Sequence, residues 1–186
     1  MNKIRFFVVL STAVALYVAW GQYMSKVESP AYKVLGQKKN IELRIYPKMI
    51  LAEVEIKAGR KEAIKNGFKI LAKYIFSNNI AMTAPVLQTK TSNGWKISFI
   101  MPKKYQLKEL PKSSEIKLTA INFGKMAAIK FAGFSSDKNL YKHEKIIRKA
   151  LFDNKSQAIF AFYNPPWVIP FLRRNEVLIK YENKDN

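Results

Sequence analysis

The chain has 186 residues, enough for one ordinary domain with its own core and short for two. Hydrophobic residues make up 48% and aromatics 13%, which argues against a disordered chain. The absence of cysteine excludes disulfides, thiolate metal sites and thiol nucleophiles, and the net charge of +20 favours anionic partners such as lipid headgroups, nucleic acid or carboxylates. Lysines outnumber arginines 27 to 6 and are scattered along the chain. Arginine is the residue of bidentate phosphate and base-edge recognition, so no nucleic-acid partner is expected.

Residues 1–21 read as a targeting segment outside the fold. Lys3 and Arg5 precede an uncharged apolar run from Phe6 to Trp20. Two readings stay open. A signal peptidase cuts after Gly21, with Ala19 and Gly21 as the small residues, or the segment remains as a membrane anchor. As a helix, Ile4 to Trp20 would span roughly 25 Å, slightly short of a hydrocarbon core of about 30 Å. Trp20 and Tyr23 would then lie at the far interface. Either way the basic residues stay inside, so the expected location is inner-membrane anchored facing the periplasm, or secreted to the periplasm.

Residues 22–31 form a polar linker, 32–182 the domain and 183–186 a tail. Ile41 to Tyr46 alternates apolar and polar residues, as a strand does. Pro47-Lys48 breaks it, and Met49 to Ile56 is a second strand. Arg60 to Phe76 reads as a helix with Ile64, Phe68, Leu71 and Ile75 as its buried stripe, ended by Ser77-Asn78-Asn79. Ala84 to Lys90 and Trp95 to Ile100 flank Asn93-Gly94, a strong turn dipeptide. The order then repeats. Strands at Ile116–Ile121 and Met126–Phe131 are joined by Asn122-Phe123-Gly124. A helix runs from Asp137 to Phe152, capped by Ser135 or Ser136, with Leu140, Ile147 and Leu151 inward. Closing strands lie at Gln157–Tyr163 and Glu176–Tyr181. Two such ββαββ units imply an α+β fold, a mostly antiparallel sheet carrying two helices.

Six segments in order resemble the SOUL family of haem-binding proteins: Glu28-Ser29-Pro30; Glu42-Leu43-Arg44-Ile45-Tyr46; Gly67-Phe68 through Tyr74-Ile75; Met82-Thr83-Ala84-Pro85-Val86; Trp95 through Met101-Pro102; and Arg174-Asn175-Glu176-Val177. The resemblance covers roughly Glu28 to Tyr181. It implies a barrel-like sheet with two helices and internal pseudo-symmetry, similar to effector-binding domains of some bacterial regulators. It also implies haem or a related tetrapyrrole as the cofactor. Some members of that family carry a histidine before the tyrosine of the Glu-x-Arg-x-Tyr strand, where it is a proposed haem ligand; this chain has Ile45. The stretch between Asn79 and Ile80 is shorter than in many members, which trims a loop bordering the expected ligand cleft.

The catalytic inventory is thin, and no enzyme is expected. One histidine and no cysteine exclude most nucleophile–base pairs, and no glycine-rich phosphate loop is present. Glu53 and Glu55 share a strand face with Lys57 and read as a solvated face. A flat apolar ligand fits better, because haem needs an apolar, aromatic-rich slot with cations near its carboxylates. His143 is the one candidate metal ligand, although a boundary position between Leu140 and Ile147 also explains it. Met82 is a second candidate ligand or a core residue. Arg44 and Arg174 are candidate carboxylate partners, or structural partners of Glu42 or Glu176. Trp167 and Phe171 lie in a proline-stiffened apolar segment followed by Arg173 and Arg174. That segment suits a tetrapyrrole, a membrane surface or a cap on the barrel. The rival to tetrapyrrole binding is a cationic membrane-surface or protein-interaction module.

Overall fold

The computed structural model describes residues 27–152 and 155–181. The expected N-terminal segment, the linker up to residue 26 and the tail lie outside the described residues. Among the described residues seven strands, β1 (Lys33–Lys38), β2 (Ile41–Ile56), β3 (Val86–Lys90), β4 (Trp95–Ile100), β5 (Lys117–Phe131), β6 (Ala158–Phe162) and β7 (Asn175–Lys180), form one sheet, with helices α1 (Arg60–Ser77) and α2 (Asp137–Leu151). Neighbours run β1-β2-β4-β3-β6-β7-β5, every pairing is antiparallel, and β5 pairs back onto β2. Six strands therefore close into a barrel, and β1 is added outside it along β2.

The expected α+β barrel forms, and its element order repeats, but each unit opens with one long strand instead of two. β2 passes through Pro47 without losing register, with Tyr46 opposite Gly124 and Lys48 opposite Asn122. β5 passes through Gly124, whose φ of +62° glycine adopts without steric cost. The Asn122 side chain accepts the Gly124 N–H at 3.0 Å. The two break signals thus bend strands and do not end them. β1 was not expected from sequence, because its six residues are all exposed and show no alternation.

The sheet has two apolar faces. Outside, α1 and α2 cover Ile97, Phe99, Ile129, Phe160, Val177 and Ile179. Inside, Leu51, Leu87, Met126, Ala128, Ala161 and Leu178 fill the barrel. Glu53 belongs inside as well, a correction to the solvated face expected for it. It is buried, accepts from Ser98 Oγ at 3.1 Å and pairs with Lys96 at 3.1 Å. Glu55 and Lys57 are exposed.

The buried stripe of α1 is rotated from the expected one. Ala63, Gly67, Leu71, Tyr74 and Ile75 are buried, while Phe68 is 42% exposed and touches the edge of Phe99. Gly67 sets this rotation, because a β-carbon there would come within 2.6 Å of Ile97 Cγ1 and 3.0 Å of its Cβ. The helix ends with Asn79 in the left-handed region (φ 53°). Ile80 N–H donates to Ile75 O at 2.8 Å and Asn79 N–H to Phe76 O at 3.2 Å, a Schellman closure that drives Ile80 into the core. Ser136 caps α2 by accepting from Asn139 N–H. At the β3–β4 turn, glycine is required for a reason the dipeptide did not show. A β-carbon on Gly94 would lie 2.1 Å from the Ile56 carbonyl oxygen.

Gly67→Ala tests the closest helix–sheet contact. Alanine should gain about 1 kcal/mol in helix propensity, but overpacking costs about 1–3 kcal/mol. We expect a net loss of up to about 2 kcal/mol in urea denaturation; a net gain would show that α1 lifts freely from β4.

Candidate functional site

The alternation of β2 turns Arg44 and Tyr46 into the barrel, and that of β7 turns Glu176 toward them. Arg44 donates from Nη1 to Glu176 Oε2 at 2.7 Å and from Nη2 to Oε1 at 3.1 Å. Its Nε donates to Glu42 at 2.7 Å, and Nη1 also donates to Tyr46 Oη at 3.1 Å. Arg174 reaches the same carboxylate through Nε at 2.9 Å, and Tyr163 Oη donates to it at 3.1 Å. Two tyrosine rings complete the cluster: Arg44 lies over Tyr32 at 4.2 Å and Arg174 over Tyr163 at 3.8 Å, while Arg174 Nη2 donates to Tyr32 Oη. Arg44 and Glu176 are essentially inaccessible to solvent. Both arginines, candidate ligand partners by sequence, are thus engaged in structural pairing with Glu176.

Burial pushes the Tyr46 phenol up to about 12, against the opposing pull of Arg44. Burial and the neighbouring Glu176 charge push Tyr163 up as well. For Arg44, burial alone would favour the neutral form, but the Glu176 hydrogen bond and charge outweigh it and keep the guanidinium protonated. The phenols are therefore neutral and the guanidinium charged at physiological pH.

Beside this cluster opens a cleft of about 1260 Å³. Tyr32 and Tyr46 form the wall it shares with the cluster, and Met49, Ile50, Ile100 and Met101 continue the apolar lining. Lys33, Lys48, Lys103 and Lys104 border it, and these lysines are exposed. Residues distant in sequence converge here. Glu28 accepts the Lys103 N–H at 2.7 Å, its carbonyl accepts the Ala84 N–H at 2.8 Å, and the Thr83 hydroxyl donates to the Ile100 carbonyl. Glu28, Pro30, Tyr46, Thr83, Met101 and Pro102, from four of the sequence motifs, all line this cleft. Ile45, the position where a histidine was sought, lines it too, 39% exposed. A second hollow of about 1020 Å³ lies beside the end of α2, lined by Lys145, Arg148, Lys149 and Phe160 among others, and draws on none of these four motifs.

The other sequence candidates lie apart from the cleft lining. His143 stacks on Phe131 with ring centroids 3.9 Å apart, and its Nδ1 lies 2.7 Å from the Asn139 carbonyl oxygen. Met82 is half-buried against the outer core. Trp167 and Phe171 sit in the β6–β7 connection. Sequence reasoning missed Tyr32, Met49, Met101 and the four rim lysines. The signal was available for Met101, in its Met-Pro motif, whereas Tyr32 and Lys33 lie in and beside a strand that carries no alternation.

A closed antiparallel barrel, with helices outside and an apolar, cation-rimmed cleft at one end, defines an α+β barrel with a cleft of the size that small ligands occupy. The chain belongs to the SOUL heme-binding protein family, whose profile matches residues 27–180. Among solved structures it is similar to a hydrolase from Listeria innocua, with TM-score 0.51 and 12% identity over 78% of this chain and 93% of that one. An uncharacterized conserved protein from Listeria innocua gives TM-score 0.53 and 12% identity over 77% and 93%. EcmrR, in a complex with DNA, gives TM-score 0.55 and 9% identity over 96% of this chain and 70% of that one. At these identities the likeness is one of fold alone. No curated protein matches significantly.

Two measurements test the cluster. Glu176→Ala leaves two guanidinium groups without their shared carboxylate and should cost about 3–5 kcal/mol in denaturant unfolding. The pH dependence follows from Tyr46. Its folded value of about 12 lies above the ordinary 10, so its contribution is complete below pH 10 and is lost as pH rises through 12. About 2–3 kcal/mol should disappear across that window. Tyr46→Phe should reduce the slope there in urea melts taken at stepped pH, leaving the part that the raised Tyr163 contributes.

Proposed function

We propose that the domain binds haem or a related tetrapyrrole in the Tyr32–Tyr46–Met101 cleft, for carriage or buffering and without turnover. The observation that carries this reading is the convergence of four family motifs on one apolar cleft bordered by four lysines. Haem brings a flat apolar surface, two carboxylates and an iron that takes axial ligands. The residues present fit the first two. Tyrosine and methionine side chains offer apolar area, and exposed lysines can pair with carboxylates while their stems cover the rim. They do not offer imidazole, because the only histidine stacks on Phe131 and Ile45 occupies the cleft position. Tyr46 is neutral, which leaves the Met49 and Met101 sulfurs as the soft donors in the wall. Binding is therefore driven by packing and charge more than by iron.

The same proposal places the domain outside the cytoplasm, held by or released from the segment at residues 1–21. The support is the basic-then-apolar layout of that segment. Among the described residues no helix is long and apolar enough to cross a membrane.

Titration of the purified chain with hemin should give a saturable Soret shift. Metal-free protoporphyrin IX should bind within roughly tenfold of hemin, because little of the affinity comes from iron. Lys48→Glu with Lys103→Glu should weaken binding about tenfold or more and reduce its salt dependence, while His143→Ala should leave it intact. Absence of a saturable shift, or loss of binding in His143→Ala, overturns this reading.

A further inference from the structure

The β6–β7 connection and the loop after β5 meet at one rim of the barrel and expose three large aromatic side chains. Phe134 is 66% exposed, Trp167 55% and Phe171 71%. The loops are joined where Gly133 N–H donates to the Pro170 carbonyl at 2.8 Å and Asn175 Nδ2 donates to the Gly133 carbonyl at 3.0 Å. Within the connection, Arg173 donates from Nε to the Val168 carbonyl at 2.7 Å and from Nη2 to the Pro166 carbonyl at 2.6 Å, and its guanidinium faces the Phe134 ring. Leu172 N–H and Arg173 N–H close a tight turn onto Ile169 and Pro170. The aromatics are thus presented on a braced frame, so little ordering entropy is lost when they enter an apolar phase. Carbonyl oxygens orient Arg173 without cancelling its charge, and Lys130 and Lys138 are exposed beside the same loops.

The described chain begins at this same rim. Val86, Phe162, Asn175 and Phe131 are lateral neighbours at the barrel edge. Glu28 bridges to Thr83, three residues before Val86, and Arg174 donates to Tyr32. The 26 residues that precede Val27 contain the uncharged run Phe6 to Trp20. A chain entering at this rim, aromatic tips on it, basic side chains around it and a net charge of +20 all complement one partner.

We propose that this rim is a membrane-docking surface, which sets Phe134, Trp167 and Phe171 into the interface of an anionic bilayer. Aromatic tips beside basic residues suit the headgroup boundary, where rings bury apolar area and lysine or arginine meets lipid phosphate. This inference does not rest on tetrapyrrole binding.

The chain has no cysteine, so single-cysteine variants report one position each. Phe134→Cys, Phe171→Cys and, as control, Phe76→Cys on α1 would be made in the full chain and labelled with an environment-sensitive fluorophore. Each would be mixed with phosphatidylcholine vesicles or with 3:1 phosphatidylcholine–phosphatidylglycerol vesicles, without hemin. We expect a blue shift, and quenching by nitroxide-bearing lipid, at 134 and 171, greater with the anionic vesicles, and little change at 76. Three results would overturn the proposal. The labels at 134 and 171 stay in water although the chain is retained by vesicles, which leaves the anchor standing. The label at 76 responds equally. Or the full chain does not associate with either vesicle.

Discussion

The structure depends on one buried ion pair. Arg44 and Glu176 belong to strands that are not neighbours, since β5 lies between β2 and β7. Their bidentate contact crosses the barrel interior and joins residues 132 apart in sequence. Removing two charges from water costs several kcal/mol per ion, and their attraction offsets that cost only where nearly every donor and acceptor is satisfied. Glu42, Tyr46, Tyr163 and Arg174 meet that requirement, and two tyrosine faces complete it with cation–π contacts. A slip of any one of these strands would leave buried charged groups unpaired, which adds to the register preference that the buried apolar faces already set.

The cluster and the cleft are two sides of one wall. Tyr32 and Tyr46 line the cleft and also contact Arg44 or its hydrogen-bond partners. The hydroxyl of Tyr46 is held by Arg44 while its ring packs near Tyr32 and Phe123. An aromatic surface whose orientation is locked from behind is pre-organised for a flat guest. The two arginines singled out as carboxylate partners, or as structural partners of Glu42 or Glu176, both hydrogen-bond to Glu176 behind this wall. Their charge is committed to Glu176, and the cations that face the cleft are lysines on the rim.

Much of this was legible in the sequence, because period-2 and period-3.6 patterns report burial. The two helices and the β3–β4 hairpin follow from them, as does the inward-facing Leu140 and Ile147. What stayed hidden depends on what lies opposite. Pro47 and Gly124 read as breaks, yet they face the same stretch of each other's strand, and a bend shared by partners preserves the ladder. Phe68 read as buried because it is large and periodic, but Gly67 is what permits close approach to Ile97. Glu53 read as solvated because charge usually is; its partners Ser98 and Lys96 come from another strand. Lys33 to Lys38 carries no pattern at all, since a strand added to the outside of β2 buries neither face.

The family motifs had a different kind of legibility. Met82-Thr83-Ala84-Pro85-Val86 carries no chemistry in isolation, and its meaning is positional. Thr83 ties the approach to β3 onto the end of β4, and Ala84 receives the chain arriving at Glu28. Glu28 in turn holds the backbone after Met101-Pro102. Three motifs with no plausible catalytic role thus knot together the mouth of one cleft. A recognition surface built this way constrains backbone more than side-chain chemistry, because the residues that hold the mouth need not be those that touch the guest. Ile45 borders the cleft but makes none of the hydrogen bonds that hold this mouth, so the side chain at that position and the mouth's geometry are separate matters.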